Sequence, residues 1–210
     1  MILMQNFQIL DNFYELKSVD GRHEHLSWVC DHVIDAEYIS NGHILEFGVA
    51  GAGTMRILES KFSTPIHGFD TWEGLPEAWN INPIKYPKGQ FSTNGTLPTV
   101  NDNVTLIKGL FENTLPHWVE QNNTPIKFIH IDCDLYAGAR TILYTLNDII
   151  VPGTVIAFDE LANWSHNNWS NQPILEHEWK ALNEWSTDHN RSWYPISRSN
   201  KFQASIMITA

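Results

Sequence analysis

The stretch Ile126–Glu160, IKFIHIDCDLYAGARTILYTLNDIIVPGTVIAFDE, decides how this chain is read. It opens on an apolar run, IKFIHID (Ile126–Asp132), that ends in a carboxylate. It closes on a second run, TVIAFDE (Thr154–Glu160), that ends in two. Between them Ile142, Leu143, Leu146 and Ile149–Ile150 share one helical stripe within Gly138–Asp148, and Val151-Pro152-Gly153 stops it. Strand, helix and strand in that order make one βαβ unit, whose right-handed crossover sets the strands parallel and side by side. Neighbouring strands lie about 4.8 Å apart, so Asp132 and Asp159 should emerge together on one rim.

Outward from this unit the same alternation continues. HILEFG (His43–Gly48), PIHGFD (Pro65–Asp70) and VTLIKG (Val104–Gly109) read as further strands. Helices fit near Thr54–Lys61 and Asn113–Gln121. Continuous apolar strands imply a sheet covered on both faces, hence parallel. Upstream, Leu26, Val29, Cys30, Val33, Ile34 and Tyr38 recur at helical spacing from Arg22 to Tyr38. Downstream, a helix should begin near Pro173, and Trp193–Ser197 and Phe202–Ile208 read as a closing antiparallel pair. The expected fold is α/β: a doubly wound, mostly parallel seven-stranded sheet in a single domain over residues 1–210, with residues 1–40 as a helical cap. The stretches 71–103 and 162–171 lack periodicity and leave the carboxyl ends of strands, where open α/β sheets bind ligands.

Composition narrows the partners. The 210 residues carry a net charge of −11 with 13 basic side chains, a balance that repels nucleic acid and anionic lipid. No apolar run approaches the roughly 20 residues that cross a bilayer. The N-terminus has no basic, cleavable leader, so a cytoplasmic location is expected. Cys30 and Cys133 are too few for a disulfide framework. Of nine tryptophans, Trp164, Trp169, Trp179, Trp185 and Trp193 crowd the last quarter. Core packing is the expectation for them, and a wall around a substrate is the alternative.

The loop LEFGVAGAGT (Leu45–Thr54) places Gly48, Gly51 and Gly53 between a strand and a helix. Glycines there permit positive φ and close backbone approach to a ligand, and the helix start favours negative groups. The spacing departs from the dinucleotide fingerprint. Glu46 would repel a pyrophosphate but suits the ammonium of a bound amino acid. Asp70, at the end of the next strand, can accept two ribose hydroxyls. Together these features favour S-adenosylmethionine over a nicotinamide cofactor.

Four blocks then carry a resemblance: LEFGVAGAGT, FDTWEGLPEAW, KGLFENTLP, and HIDCDLY followed by VIAFDE. In this order they resemble class I S-adenosylmethionine-dependent methyltransferases, most of all the macrocin O-methyltransferase family of natural-product sugar methylation. The resemblance implies that Glu46, Gly48 and Gly51 line the methionine end of the cofactor. Asp70 would hold the ribose with Thr71 and Trp72 beside it, and Gly109 and Phe111 would approach the adenine. It further implies a divalent metal, usually magnesium, on Asp132, Asp159 and Glu160. The expected partner is a small hydroxylated acceptor, and self-association as a homodimer is left open.

Clustered acids without a cation repel one another, which gives the metal a physical motive. Asp132 can serve as ligand and base together, and His166 is a second candidate base. Capping or loop hydrogen bonding is expected of Asp134, with metal contact the alternative. His130 reads as a core residue, Tyr136 as packing at the next helix's start, and Cys133 as turned to the other side. Two rival readings stay open. The Asp132-Cys133-Asp134 element also fits a metal-dependent glycosyltransferase, and a catalytically silent cofactor-binding domain would keep the same loop.

Overall fold

The computed structural model describes residues 9–81, 83–165 and 172–210. After a helix α1 through residues 9–14 come β1 (Ser18–Val19), α2 (Arg22–Ala36), β2 (His43–Phe47), α3 (Met55–Lys61) and β3 (Ile66–Asp70). The chain continues through β4 (Trp79–Asn80), β5 (Lys85–Tyr86), β6 (Val104–Lys108), α4 (Phe111–Gln121), β7 (Ile126–Ile131), α5 (Tyr136–Thr145) and β8 (Val155–Phe158). A 3-10 turn, Pro173–Glu176, leads into α6 (Glu178–Asp188), and β9 (Trp193–Ser199) and β10 (Ala204–Ile208) close the chain.

The main sheet runs β1-β9-β10-β8-β7-β2-β3-β6. From β8 to β6 every pairing is parallel, while β10 lies antiparallel between β8 and β9. The seven strands read from the sequence are all present. The eighth is β1, two residues that pair with β9 and form the sheet edge, too short to leave a hydrophobic pattern. A second addition lies inside the 71–103 stretch, where β4 and β5 form a small antiparallel hairpin.

Strand alternation assigns the two faces of the sheet. Leu45 and Phe47 of β2, Ile129 and Ile131 of β7, and Ile156 and Phe158 of β8 meet Ile142 and Leu143 of α5 and Leu182 and Trp185 of α6. Their sequence neighbours Ile44, Phe128, Val155 and Ala157 meet Leu26, Val29 and Val33 of α2 and Leu58 of α3. Both faces are thus covered, the reason that these strands read as unbroken apolar runs. Trp164, Trp179 and Trp185 are buried in the first of these cores and Trp193 packs on it. Trp169 lies outside the described residues. Among the described residues no helix is long and apolar enough to cross a membrane.

The chain winds from β2 toward β6 on one side and, after crossing back, from β7 toward β8 on the other. The reversal falls between β2 and β7, so their carboxyl ends open a crevice there.

Candidate active site

Gly48 ends β2 at φ 94, and a Cβ built on it would stand 1.7 Å from the carbonyl oxygen of Asp132. Only glycine lets the two strand ends approach this closely. Beyond it, the positive φ values of the glycine loop fall on Ala50 (φ 44) and Ala52 (φ 66) rather than on Gly51 or Gly53. A Cβ on Gly51 or Gly53 would meet nothing within 4 Å among the described residues, so their packing does not demand glycine there.

A cavity of about 660 Å³ opens over this crossing point. On one side it is walled by Gly48, Ala50, Asp70, Thr71, Leu110 and Phe111. Asp70 accepts from the Ala50 amide at 2.8 Å and the Trp72 amide at 2.7 Å, which fixes its carboxylate toward the opening. Thr71 lines the wall while its hydroxyl accepts from the Glu73 amide. Phe111 stands edge-on to Phe47.

Four residues expected at the cofactor are not in the cavity wall: Gly51, exposed on the glycine turn, and Trp72, Gly109 and Glu46. Trp72 is 1% exposed, in the core beneath the glycine loop, with its indole donating to the Ala50 carbonyl. Gly109 is not in the wall. Its amide bonds the Asp70 carbonyl and it brings Leu110 and Phe111 into place. Glu46 is fully buried on the α2 face, 2.9 Å from His130 Nδ1, its cross-strand neighbour in the β2–β7 register.

The acids separate by the same alternation. Asp132 and Asp159 follow Ile131 and Phe158 and turn to the α2 face. There Arg22, the first residue of α2, bridges them: its guanidinium pairs with Asp132 and, through Nε at 2.8 Å, with Asp159. Asp159 is 2% exposed, lies 3.4 Å from Gln203 Nε2, and is not part of the cavity wall. Glu160 turns the other way, into the cavity, where Asp132 and Asp134 also stand. Asp132, Asp134 and Glu160 each bring a carboxylate oxygen within 4.8 Å of the others, as do Asp132 and Asp159 with a ring nitrogen of His130. One Glu160 oxygen, Oε2, is buried without a hydrogen-bond partner among the described residues.

Asp134 is therefore not a helix cap. α5 starts from Leu135 with no side-chain capping bond, and Asp134 is held at φ 62 with its carboxyl in the acid cluster. Burial, reinforced by Asp159, raises its pKa to about 7. Burial and then Asp159 also push Asp132 well above the carboxylate range, against the pull of Arg22. Glu160 is raised by burial and Asp159, and Glu178, which accepts from the Glu160 amide, is raised chiefly by burial. Cys133 does turn to the opposite face from Asp132, where its thiol packs by Gly138 and closes part of the cavity wall. Tyr136 faces α6, donating to Glu184. His166 lies outside the described residues.

Sequence reasoning missed two parts of this site. Arg22 was legible only as the start of an amphipathic helix. The other is which side chains make the apolar half of the cavity. The 71–103 stretch reads as a ligand-side loop, but its sequence does not tell that Leu75, Trp79, Ile81, Tyr86 and Phe91, rather than the C-terminal tryptophans, form this wall. Trp79 and Tyr86 stack at 5.0 Å.

The switch-point cavity thus carries the glycine turn and a strand-end acid on one side and an acid cluster on the other, an arrangement that suits a class I S-adenosylmethionine-dependent methyltransferase. A family model described as a methyltransferase domain matches residues 45–161, and the chain belongs to that family. The match removes the glycosyltransferase reading. A search of curated protein sequences gave no significant match. Among solved structures, the calicheamicin methyltransferase CalS11 is similar with a TM-score of 0.66 at 18% identity, covering 97% of this chain and 91% of that one. The O-methyltransferase NovP gives 0.66 at 15% identity, over 90% of this chain and 80% of its own. An apo structure of CalS11, described as a TDP-rhamnose 3'-O-methyltransferase, gives 0.57 at 19% identity over 86% and 77%. At these identities the likeness is one of fold.

Proposed function

We propose that this chain moves the methyl group of S-adenosylmethionine to a hydroxyl oxygen of a small acceptor, a sugar or sugar-bearing natural product, with help from a divalent cation. The observation that carries the reading is the division of one cavity. Asp70 and the glycine turn face one half, and Asp132, Asp134 and Glu160 face the other beside an apolar aromatic wall. CalS11 and NovP, similar in fold, are by name a TDP-rhamnose 3'-O-methyltransferase and an O-methyltransferase, which supports oxygen as the acceptor atom.

Gly48, Ala50, Asp70 and Thr71 would hold the ribose and methionine portions, and Leu110 and Phe111 the adenine. Asp132, Asp134 and Glu160 fit a hard cation such as magnesium. They are carboxylates gathered within 4.8 Å, and the buried Glu160 Oε2 has no hydrogen-bond partner among the described residues. Such an ion, when bound, lowers the cost of deprotonating an acceptor hydroxyl. Asp132, whose backbone touches Gly48 and whose carboxylate stands in the acid cluster, takes that proton. His166, read from the sequence, is the alternative base. Trp79 and Tyr86 orient the apolar face of the acceptor.

The test is transfer of labelled methyl to a panel of hydroxylated glycosides with magnesium and with chelator. Label should reach an acceptor oxygen, chelation should abolish it, and Asp134→Asn should reduce turnover about hundredfold while S-adenosylhomocysteine still binds. Turnover indifferent to chelation would remove the metal from this reading. Cofactor binding with no transfer to any acceptor would favour a silent domain.

A further inference from the structure

Arg22 breaks the local rules for a helix start. Its N-cap is Gly21 at φ 95, with no side-chain capping bond, and a cation at the first helical position faces the positive end of the helix dipole. Nothing in α2 itself favours arginine there. What holds it is tertiary: the guanidinium spans Asp132 on one strand end and Asp159 on the next. Violations of local preference that are compensated only by a distant contact are characteristic of functional positions.

The charge balance explains the contact. Asp132, Asp134, Asp159 and Glu160 converge on one rim, with Glu178 behind Glu160. Arg22 is the one Lys or Arg in the cavity wall among the described residues. The segments 1–8, 82 and 166–171 contain neither residue type. Among the described residues Arg22 is thus the one Lys or Arg paired with these acids, and its pairs are with Asp132 and Asp159.

We propose that Arg22 is the resident counter-ion of the acid cluster and competes with the divalent cation for Asp132, so that it sets metal affinity and keeps the cluster folded before metal arrives. This rests on the metal reading above. Asp132 belongs to both sets: it pairs with Arg22 and it groups with Asp134 and Glu160. A fixed positive charge on a shared ligand weakens a divalent ion's hold by direct repulsion and by occupying a ligand oxygen. Asp159, out of the cavity wall, then serves as the second anchor that keeps Arg22 in place.

The experiment is calorimetric titration of magnesium and manganese into wild-type protein, Arg22→Met and Arg22→Gln. S-adenosylhomocysteine binding reports that each variant is folded. Thermal denaturation is followed with and without metal. Removing the counter-ion should tighten metal binding at least about tenfold in both variants. It should also lower the melting temperature of the metal-free protein and enlarge the stabilisation that metal gives. A variant too unstable to titrate is read from that thermal shift, which must exceed the wild-type shift. Equal affinities and shifts in all three proteins overturn the counter-ion role and leave the metal reading intact. Weaker binding in the variants also overturns it, because Arg22 would then be supporting the ligands. No metal binding by any of them overturns both.

Discussion

At the scale of single residues, two positions at the strand ends have roles that follow from distance alone. Gly48 stands where a Cβ would collide with the Asp132 carbonyl at 1.7 Å, and its φ of 94 is strained for any L side chain. Gly48→Ala should therefore cost more than about 1 kcal/mol and distort the acid rim, since the atom it strikes is backbone. A fall in melting temperature together with weaker S-adenosylhomocysteine binding checks this, and an unchanged melting curve would refute it. Asp70 already accepts two amides that fix its direction, leaving its remaining lone pairs for hydroxyls. Charge-assisted hydrogen bonds contribute roughly 1.5–3 kcal/mol each. Asp70→Ala should weaken S-adenosylhomocysteine binding by at least about tenfold in calorimetry. Unaltered affinity would mean that the cofactor does not use this acid.

At the scale of elements, the β4–β5 hairpin and its flanks are the part of the 71–103 stretch that lines the cavity. It is pinned rather than loose. The Trp72 carbonyl accepts from the Gly95 amide at 2.9 Å, and the Gly89 amide bonds the Leu75 carbonyl at 2.8 Å. Trp79 is 4% exposed, stacked on Tyr86 and edge-on to His177, in a small cluster with Leu75 and Leu135 that is separate from the two main cores. Because the cluster is a satellite, its loss should be felt locally. Trp79→Ala is expected to raise KM for the acceptor about tenfold or more while S-adenosylhomocysteine affinity holds. A parallel loss of cofactor affinity would show that the hairpin supports the whole cavity instead.

At the scale of the whole molecule, burial of ionisable groups makes stability depend on pH in two opposed directions. His25, 1% exposed on α2 and 2.9 Å from Ser197 on β9, has its pKa lowered to about 4 by burial. The folded state keeps it neutral while the unfolded chain protonates it near its ordinary value of 6.5. Its contribution is thus intact above that value and is lost as pH falls toward 4, a loss of up to about 3 kcal/mol. The raised acids act oppositely. Asp134, with a folded pKa of about 7, is destabilising when charged, and falling pH relieves it. Urea unfolding at pH 7 and pH 5 should show His25→Gln losing less stability between them than the wild type. An identical pH dependence in both would mean that His25 is not the group titrating.

What the sequence determined by itself was the frame. Unbroken apolar runs could only be strands covered on both faces, and their order with the helices fixed a parallel sheet whose carboxyl ends carry Asp70, Asp132, Asp159 and Glu160. Seven of the eight strands of the main sheet were legible for that reason, whereas β1 and the β4–β5 hairpin are two-residue pairings with no period to read. What only the tertiary structure decided was which side chains meet. Alternation along β8 sends Asp159 to the α2 face and Glu160 to the cavity, although they are adjacent in sequence. The left-handed turn at Asp134 puts its carboxyl with theirs instead of on the helix that follows. Arg22 reaches the same rim from 110 residues away. Periodicity reports which face of its own element a residue occupies. It carries no record of the charge that another element brings to that face.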